Sequence, residues 1–207
     1  FCGNFDGRNH TIKNLTIKNA ILRTGGRSAV IAAKPYGNIE NCHVVDCNLQ
    51  ADYWACGLIA GMHNSGNMKN CSANNSSITA TGGTAAITGV LNETNGVRTY
   101  ENCSAVGCTI NNGGDDPYAG AAIVGLINID NVTVKGGYSG NATAGILASS
   151  SSKFIDNVTI TNSSVEGGKY TGGVVGYGYA DVTNCTLTNC VVKGGYKLGG
   201  VIGYVCA

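Results

Sequence analysis

Charge is scarce in this chain. Only 12% of its 207 residues are Asp, Glu, Lys or Arg, and thirteen cations against twelve anions leave a formal charge of +1. That balance supplies no basic footprint for nucleic acid, and the low charge excludes a charged disordered tail. Leu, Glu and Lys are too few for a helical bundle, and no apolar stripe of period 3.6 persists anywhere. No apolar run is long enough to span a membrane, and no signal peptide is recognisable. Proline occurs twice and histidine three times, at His10, His43 and His63, which limits metal sites built on imidazole. Glycine (32), Asn, Thr and Ser are plentiful instead. The chain starts at Phe1 without Met and ends within a repeat, so it reads as a fragment of a larger protein.

What is present is one short phrase, rewritten. "NIENCHVVDCNLQA" (Asn38 to Ala51) returns as "MKNCSANNSSITA", "YENCSAVGCTINN" and "VTNCTLTNCVVKG". Aligning Asn before Cys, Leu or Val places copies at Asn14, Asn41, Asn70, Asn102, Asn131, Asn157 and Asn184, spaced by 26 to 32 residues. Seven copies with small length changes describe one repeated unit with insertions in its loops.

Within a copy, apolar or small residues fall one and three positions after the Asn, as in Cys42/Val44 and Val158/Ile160. Period two is a strand with one buried face. The parity then slips, and the next inward pair lies at six and eight, as in Cys47/Leu49 and Ser163/Val165. At five stand Asn19, Asp46, Asn75, Gly107, Gly136, Asn162 and Asn189, residue types that tolerate a left-handed backbone. A straight strand cannot change parity, whereas one turning a corner at a single residue can. A third apolar strand follows in each copy: "AVIAA", "GLIAG", "AAITG", "AAIVG", "AGILA", "GGVVG" and "GGVIG". The expectation is an all-β protein: a parallel β-helix, or solenoid, of about seven three-strand coils in a single domain over 1–207.

The opening "FCGNFDGRNHTIKNL" (Phe1 to Leu15), with "GLIAG" (Gly57 to Gly61), "GGVVGY" (Gly172 to Tyr177) and "GGVIGY" (Gly199 to Tyr204), resembles the GLUG repeat of bacterial surface proteins. The resemblance implies a right-handed β-helix in secreted or surface-anchored, adhesin-like proteins and no enzymatic activity for the repeat itself. An extracellular or cell-surface bacterial location follows from it, as do adjoining domains of a parent chain. Partners would be host or microbial glycans or surface proteins.

Residue types then suggest roles. Cys42, Cys71, Cys103 and Cys185 share one inward column and Cys47, Cys108 and Cys190 another, as small apolar filling. Disulfides between adjacent coils, such as Cys42 to Cys71, are the alternative. The leading Asn column, Asn14 to Asn184, suits a side-chain ladder running from coil to coil. Its N-x-Ser/Thr motifs are then by-products of alternation rather than glycosylation sites.

The residue before each Asn alternates as Lys13, Glu40, Lys69 and Glu101, then gives Asp130 and Asp156. No cofactor is implied elsewhere, but Glu101, Asp130 and Asp156 stacked together would form a Ca²⁺ site. Aromatic residues recur before the third strand, at Tyr53, Trp54, Tyr118, Tyr170 and Tyr196. They form a candidate glycan-binding stripe. The loop Asn111 to Gly120, with Asp115 and Asp116, is the longest polar excursion. A non-catalytic adhesin-like or stalk module fits these features. A β-helical polysaccharide lyase or glycoside hydrolase is the alternative: the hydrolase would need two carboxylates facing across a cleft, the lyase a Ca²⁺ cluster or a Lys or Arg base.

Overall fold

The computed structural model describes residues 2–20, 26–52, 54–91, 98–112, 123–136, 143–151, 154–178 and 181–205. Among these there is no helix. Every strand pairing between laps is parallel, and the chain winds as a β-solenoid.

The first wall is a ten-stranded sheet. It runs from Phe5–Lys13 through Ile39–Val45 and Ile123–Asp130 to Phe154–Thr161 and Asp181–Thr183. The second wall has seven strands, one per lap, from Thr16–Ala20 through Asn48–Ala51 to Val191–Lys193. Inward residues align from lap to lap: Ile78 registers on Leu49 and Ile110, and Ile160 on Ile129 and Leu187. The core is a column of such side chains, with Val44, Leu49, Ile78, Ile155 and Ile160 wholly buried.

Left-handed backbone makes the corners. Asn41, Asn70, Asn102, Asn157 and Asn184 at the first corner have φ between 50° and 62°. Asn14, Asp46, Asn75, Gly107, Asn131, Asn162 and Asn189 at the second lie between 47° and 64°. Such φ values cost most residues energy that Asn, Asp and Gly largely avoid.

Two of the expected ladder positions are therefore corrected. Asn14 stacks on Asp46, its amide donating to the Val45 carbonyl, and Lys13 registers on Val45. Asn131 continues Gly107, whose amide donates to the Asp130 carbonyl. Both residues stand at the second corner. In the first lap Gly7, Arg8 and Asn9 replace the first-corner Asn, and in the fifth Gly125 and Leu126 do. The two corners carry the same residue type before an apolar position, which makes them interchangeable to a motif alignment.

The third apolar segment is also not a strand. "GLIAG" and its equivalents straddle a sharp bend between two short strands on different walls, Trp54–Gly57 then Ala60–His63, or Tyr170–Gly172 then Val175–Gly178. Each lap thus has four walls rather than three. Gly57, Gly172 and Gly199 close this bend. A Cβ on them would run into the carbonyls of Ala60, Val175 and Ile202 respectively. "AAIVG" departs from the pattern: Ile123 and Val124 register on Arg98 and Thr99 in the first wall. Among the described residues, complete four-walled laps number about five, not seven. The first lap has no named strand in the fourth wall among the described residues; it meets Ala60–His63 through the Ala32–Ala60 bridge and the bond from the Met62 amide to the Ala33 carbonyl. The far walls of the fourth lap fall outside the described residues.

Candidate functional site

The cysteine columns turn out to be hydrogen-bonding columns. Each corner leaves the carbonyl two residues back facing the next side chain, and a thiol donates to it. Cys42 reaches Glu40 O at 3.1 Å, Cys71 reaches Lys69 O at 3.3 Å, and Cys185 reaches Thr183 O at 3.1 Å. Ser76 and Ser163 do the same at the second corner, at 2.8 and 2.7 Å. Cysteine therefore fills the core and satisfies a corner carbonyl together.

The nine described cysteines are free thiols. Hydrogen bonding to the next thiol and then burial push Cys42 and Cys71 up, Cys71 to about 12. Burial first, with the Asp52 charge adding to it, raises Cys56 to about 11. Cys103, accepting from Cys71, is lowered against its own burial.

The asparagine ladder is present in segments. Asn70 donates its side-chain amide to Asn41 at 3.0 Å, Asn102 to Asn70 at 3.2 Å, and Asn189 to Asn162 at 3.3 Å. Carboxylates terminate these runs. Asn41 donates to Asp6 at 2.9 Å, Asn162 to Asp130 at 2.9 Å, and Asn184 to Asp156 at 2.8 Å. Those bonds hold the carboxyls of Asp6, Asp130 and Asp156 below the usual range. Asn41 contributes most at Asp6, and the hydroxyls of Thr161 and Thr183 contribute most at Asp130 and Asp156.

The acidic trio does not assemble. Asp130 registers between Val106 and Thr161 beside the second corner, whereas Glu101 and Asp156 precede the first corner. Glu101 instead pairs with Lys69 at 3.2 Å. The misplacement follows from the slip of Asn131 between corners. No group of three His, Cys, Asp or Glu side chains suited to a metal ion occurs among the described residues.

A second polar column went unnoticed in the sequence. Asn4 Oδ1 accepts from the Asn38 amide, Asn38 Oδ1 from the Asn67 amide, and Asn67 Oδ1 from the Thr99 amide, at 2.9 to 3.1 Å. The signal was an Asn three residues before the ladder Asn, as in Asn38/Asn41 and Asn67/Asn70. The buried His63 was equally silent. Its Nε2–H donates to the Gly37 carbonyl at 2.9 Å, so Nδ1 accepts from the Tyr100 hydroxyl at 3.1 Å.

The aromatic stripe resolves into one cluster on the last laps. Tyr53 and Tyr118 lie outside the described residues, with Asp115 and Asp116; of Trp54 only the backbone is described, paired to Gly82. Tyr170 packs on Tyr204 with ring centroids 5.1 Å apart and planes 18° apart. Tyr177 joins both, 5.3 Å from Tyr170 and 5.7 Å from Tyr204. The glycine bend at 172–175 swings Tyr177 back onto Tyr170. One lap later, the bend at 199–202 lays Tyr204 over both.

The Lys197 ammonium sits 3.5 Å from the Tyr204 ring centre, 5.8 Å from that of Tyr170 and 5.9 Å from that of Tyr196. Lys169 lies 5.1 Å from the Tyr170 ring. Tyr196 itself is 72% exposed. Tyr177 and Tyr204 stood in quoted motifs, but nothing in the sequence said that a bend would fold them onto Tyr170.

Beside the cluster runs an open groove of about 480 Å³, lined by the pairs Gly167–Gly168 and Gly194–Gly195 and by Glu166, Lys169, Lys193 and Tyr196. Comparison of the chain with protein-family models and with curated proteins returned no match.

Proposed function

We propose that the chain is a non-catalytic, adhesin-like or stalk module of a bacterial cell-surface or secreted protein, and that it holds glycans on the platform of Tyr170, Tyr177 and Tyr204. The stacked tyrosine cluster carries this reading. Half-buried rings fixed against one another present a rigid apolar face with hydroxyls at its edge, suited to the C–H face of a sugar ring at little entropic cost. The GLUG-like repeats support the same assignment. Five of the described acids suit it too, because they terminate ladders or form ion pairs: Asp6 with Asn41, Asp130 with Asn162, Asp156 with Asn184, Asp46 with Lys13 and Glu101 with Lys69. Glycoside hydrolysis would instead ask two carboxylates to face each other across a cleft.

The test is retention on immobilised polysaccharides, beginning with dextran and polygalacturonate. Tyr170→Ala with Tyr204→Ala should abolish retention while the far-ultraviolet circular dichroism stays that of a β protein. Retention equal to that of the unmodified chain would refute the platform. Release of reducing ends or unsaturated products from either polymer would turn the reading towards catalysis.

A further inference from the structure

The interface between laps has a direction. At the second corner the later lap donates and the earlier one accepts: the Asn189 side-chain amide gives to Asn162 Oδ1 at 3.3 Å, as that of Asn162 gives to the Asp130 carboxylate at 2.9 Å. The last lap therefore presents Asn189 Oδ1 to a place where no further lap stands among the described residues. At the opposite end Asn14 holds the same corner in the same left-handed conformation, φ 58° against 53° for Asn189. No earlier lap stands beside Asn14 among the described residues to receive its side-chain amide.

The two end faces also continue the same inward columns. Ile12 registers on Val44 and Ile17 on Leu49 at the first lap, and Leu187 registers on Ile160 and Val192 on Val165 at the last. Val44, Leu49, Ile160 and Val165 have laps on both sides and are buried, whereas the four end residues are only half-buried. Leu15 and Val191 are exposed outright. Thr16–Ala20 at one end and Thr186–Thr188 and Val191–Lys193 at the other each pair on one side among the described residues, which leaves an open backbone edge at both faces. The register shift between Asp6 and His10 precedes these columns and does not interrupt them.

We propose that the last lap of one copy seats the first lap of a second copy, so that the chain associates head to tail into an open-ended stack. Carrying the columns one step further sets Ile12 on Leu187, Asn14 on Asn189, Leu15 on Cys190 and Ile17 on Val192. The Asn14 amide then meets Asn189 Oδ1, and apolar side chains meet apolar side chains. Two like ends do not match in this way, because two last laps would oppose acceptor to acceptor and lose the parallel register. A contact between unlike ends along one axis does not close on itself, so growth continues. One repulsion opposes it. Lys18 follows Ile17 and Lys193 follows Val192, so the stack brings their ammonium groups together. Salt screens that repulsion and should strengthen the association.

Sedimentation equilibrium tests this on the unmodified chain. Its weight-average mass should climb continuously past that of a dimer as concentration rises from micromolar towards millimolar, and climb further in high salt. Leu15→Lys blocks the first lap by setting a charge against Cys190. Thr188→Lys with Val191→Lys blocks the last lap by adding charges that face Lys13 and Lys18. All three positions are exposed, so both variants should keep the circular dichroism and unfolding midpoint of the unmodified chain. Each variant alone should stay monomeric, and an equimolar mixture of the two should form pairs and stop there. In the unmodified chain, amide exchange across Thr186–Lys193 should slow as concentration rises, which reports the same contact without a substitution. An unmodified chain that stays monomeric throughout would overturn the proposal. A mixture that fails to pair while the unmodified chain associates would do so too, as would a Leu15→Lys chain that still pairs, the signature of two last laps face to face.

Discussion

At the residue scale the repeat is a solution to a corner. An Asn in left-handed conformation turns the chain, its side chain bonds to the lap beside it, and the following Cys or Ser satisfies the inward carbonyl. Separate substitutions should separate these contributions. Asn70→Gly keeps the backbone but loses the bonds to Asn41 and Asn102, at about 1–2 kcal/mol. Asn70→Ala adds the left-handed penalty, roughly another 1 kcal/mol, so in urea unfolding it should be the less stable of the two. Cys71→Ser preserves the donor that Ser76 and Ser163 use, whereas Cys71→Val removes the side-chain bond to the Lys69 carbonyl, at about 1 kcal/mol.

The thiols also set an alkaline limit. A raised thiol pKa contributes stability that is whole below the unfolded value and is lost as pH climbs through the folded one. For Cys56 that window runs from 9.0 to about 11. Unfolding free energy measured in urea should therefore fall across that interval, and Cys56→Ala should flatten the fall.

At the element scale the glycines before the bends decide whether a lap can close. Gly172→Ala drives a methyl into the Val175 carbonyl and the Gly203 amide, both backbone, so the bend must open. The expected loss is about 1–3 kcal/mol. It should come with a change in tyrosine fluorescence, because the same bend holds Tyr177 on Tyr170.

Much of this scale was legible from alternation: strand, corner and inward column all follow from where the parity of apolar residues breaks. What was not legible has a common cause. "NCTLTNC" (Asn184 to Cys190) writes both corners in the same letters, and from the second corner of the fourth lap, Gly107, to that of the fifth, Asn131, is only 24 residues. An alignment on Asn slid Asn14 and Asn131 by one corner and brought Asp130 falsely into line with Glu101. The apolar "GLIAG" segments read as strands because bend and strand interiors are equally hydrophobic here: Leu58 and Ile59 are fully buried at a turn. The tyrosine cluster depended on a contact across that bend, which no local pattern encodes.

At the scale of the whole molecule, each lap rests on its neighbours. Those at the end of the described stack rest on one side only: Val191, Leu198 and Val205 are 49%, 54% and 57% exposed, while Ile155, Val158 and Ile160 are buried. Stability in such an array is a sum of neighbour terms. Hydrogen exchange should accordingly be slowest at the amides of Ile39–Val45 and Cys103–Val106 and fastest at Ile202–Val205. Uniform protection along the chain would contradict nearest-neighbour stabilisation.

The vertical alignment of Asn41 with Asn70 has one more corollary. Excising residues 42–70 would join Asn41 directly to Cys71, recreating the Asn–Cys dipeptide and every stacking partner above and below the seam. The shortened chain should fold, one storey lower. Height in this architecture is a quantity that gene duplication or deletion can set in whole increments, like a telescoping rule, without redesigning a single joint.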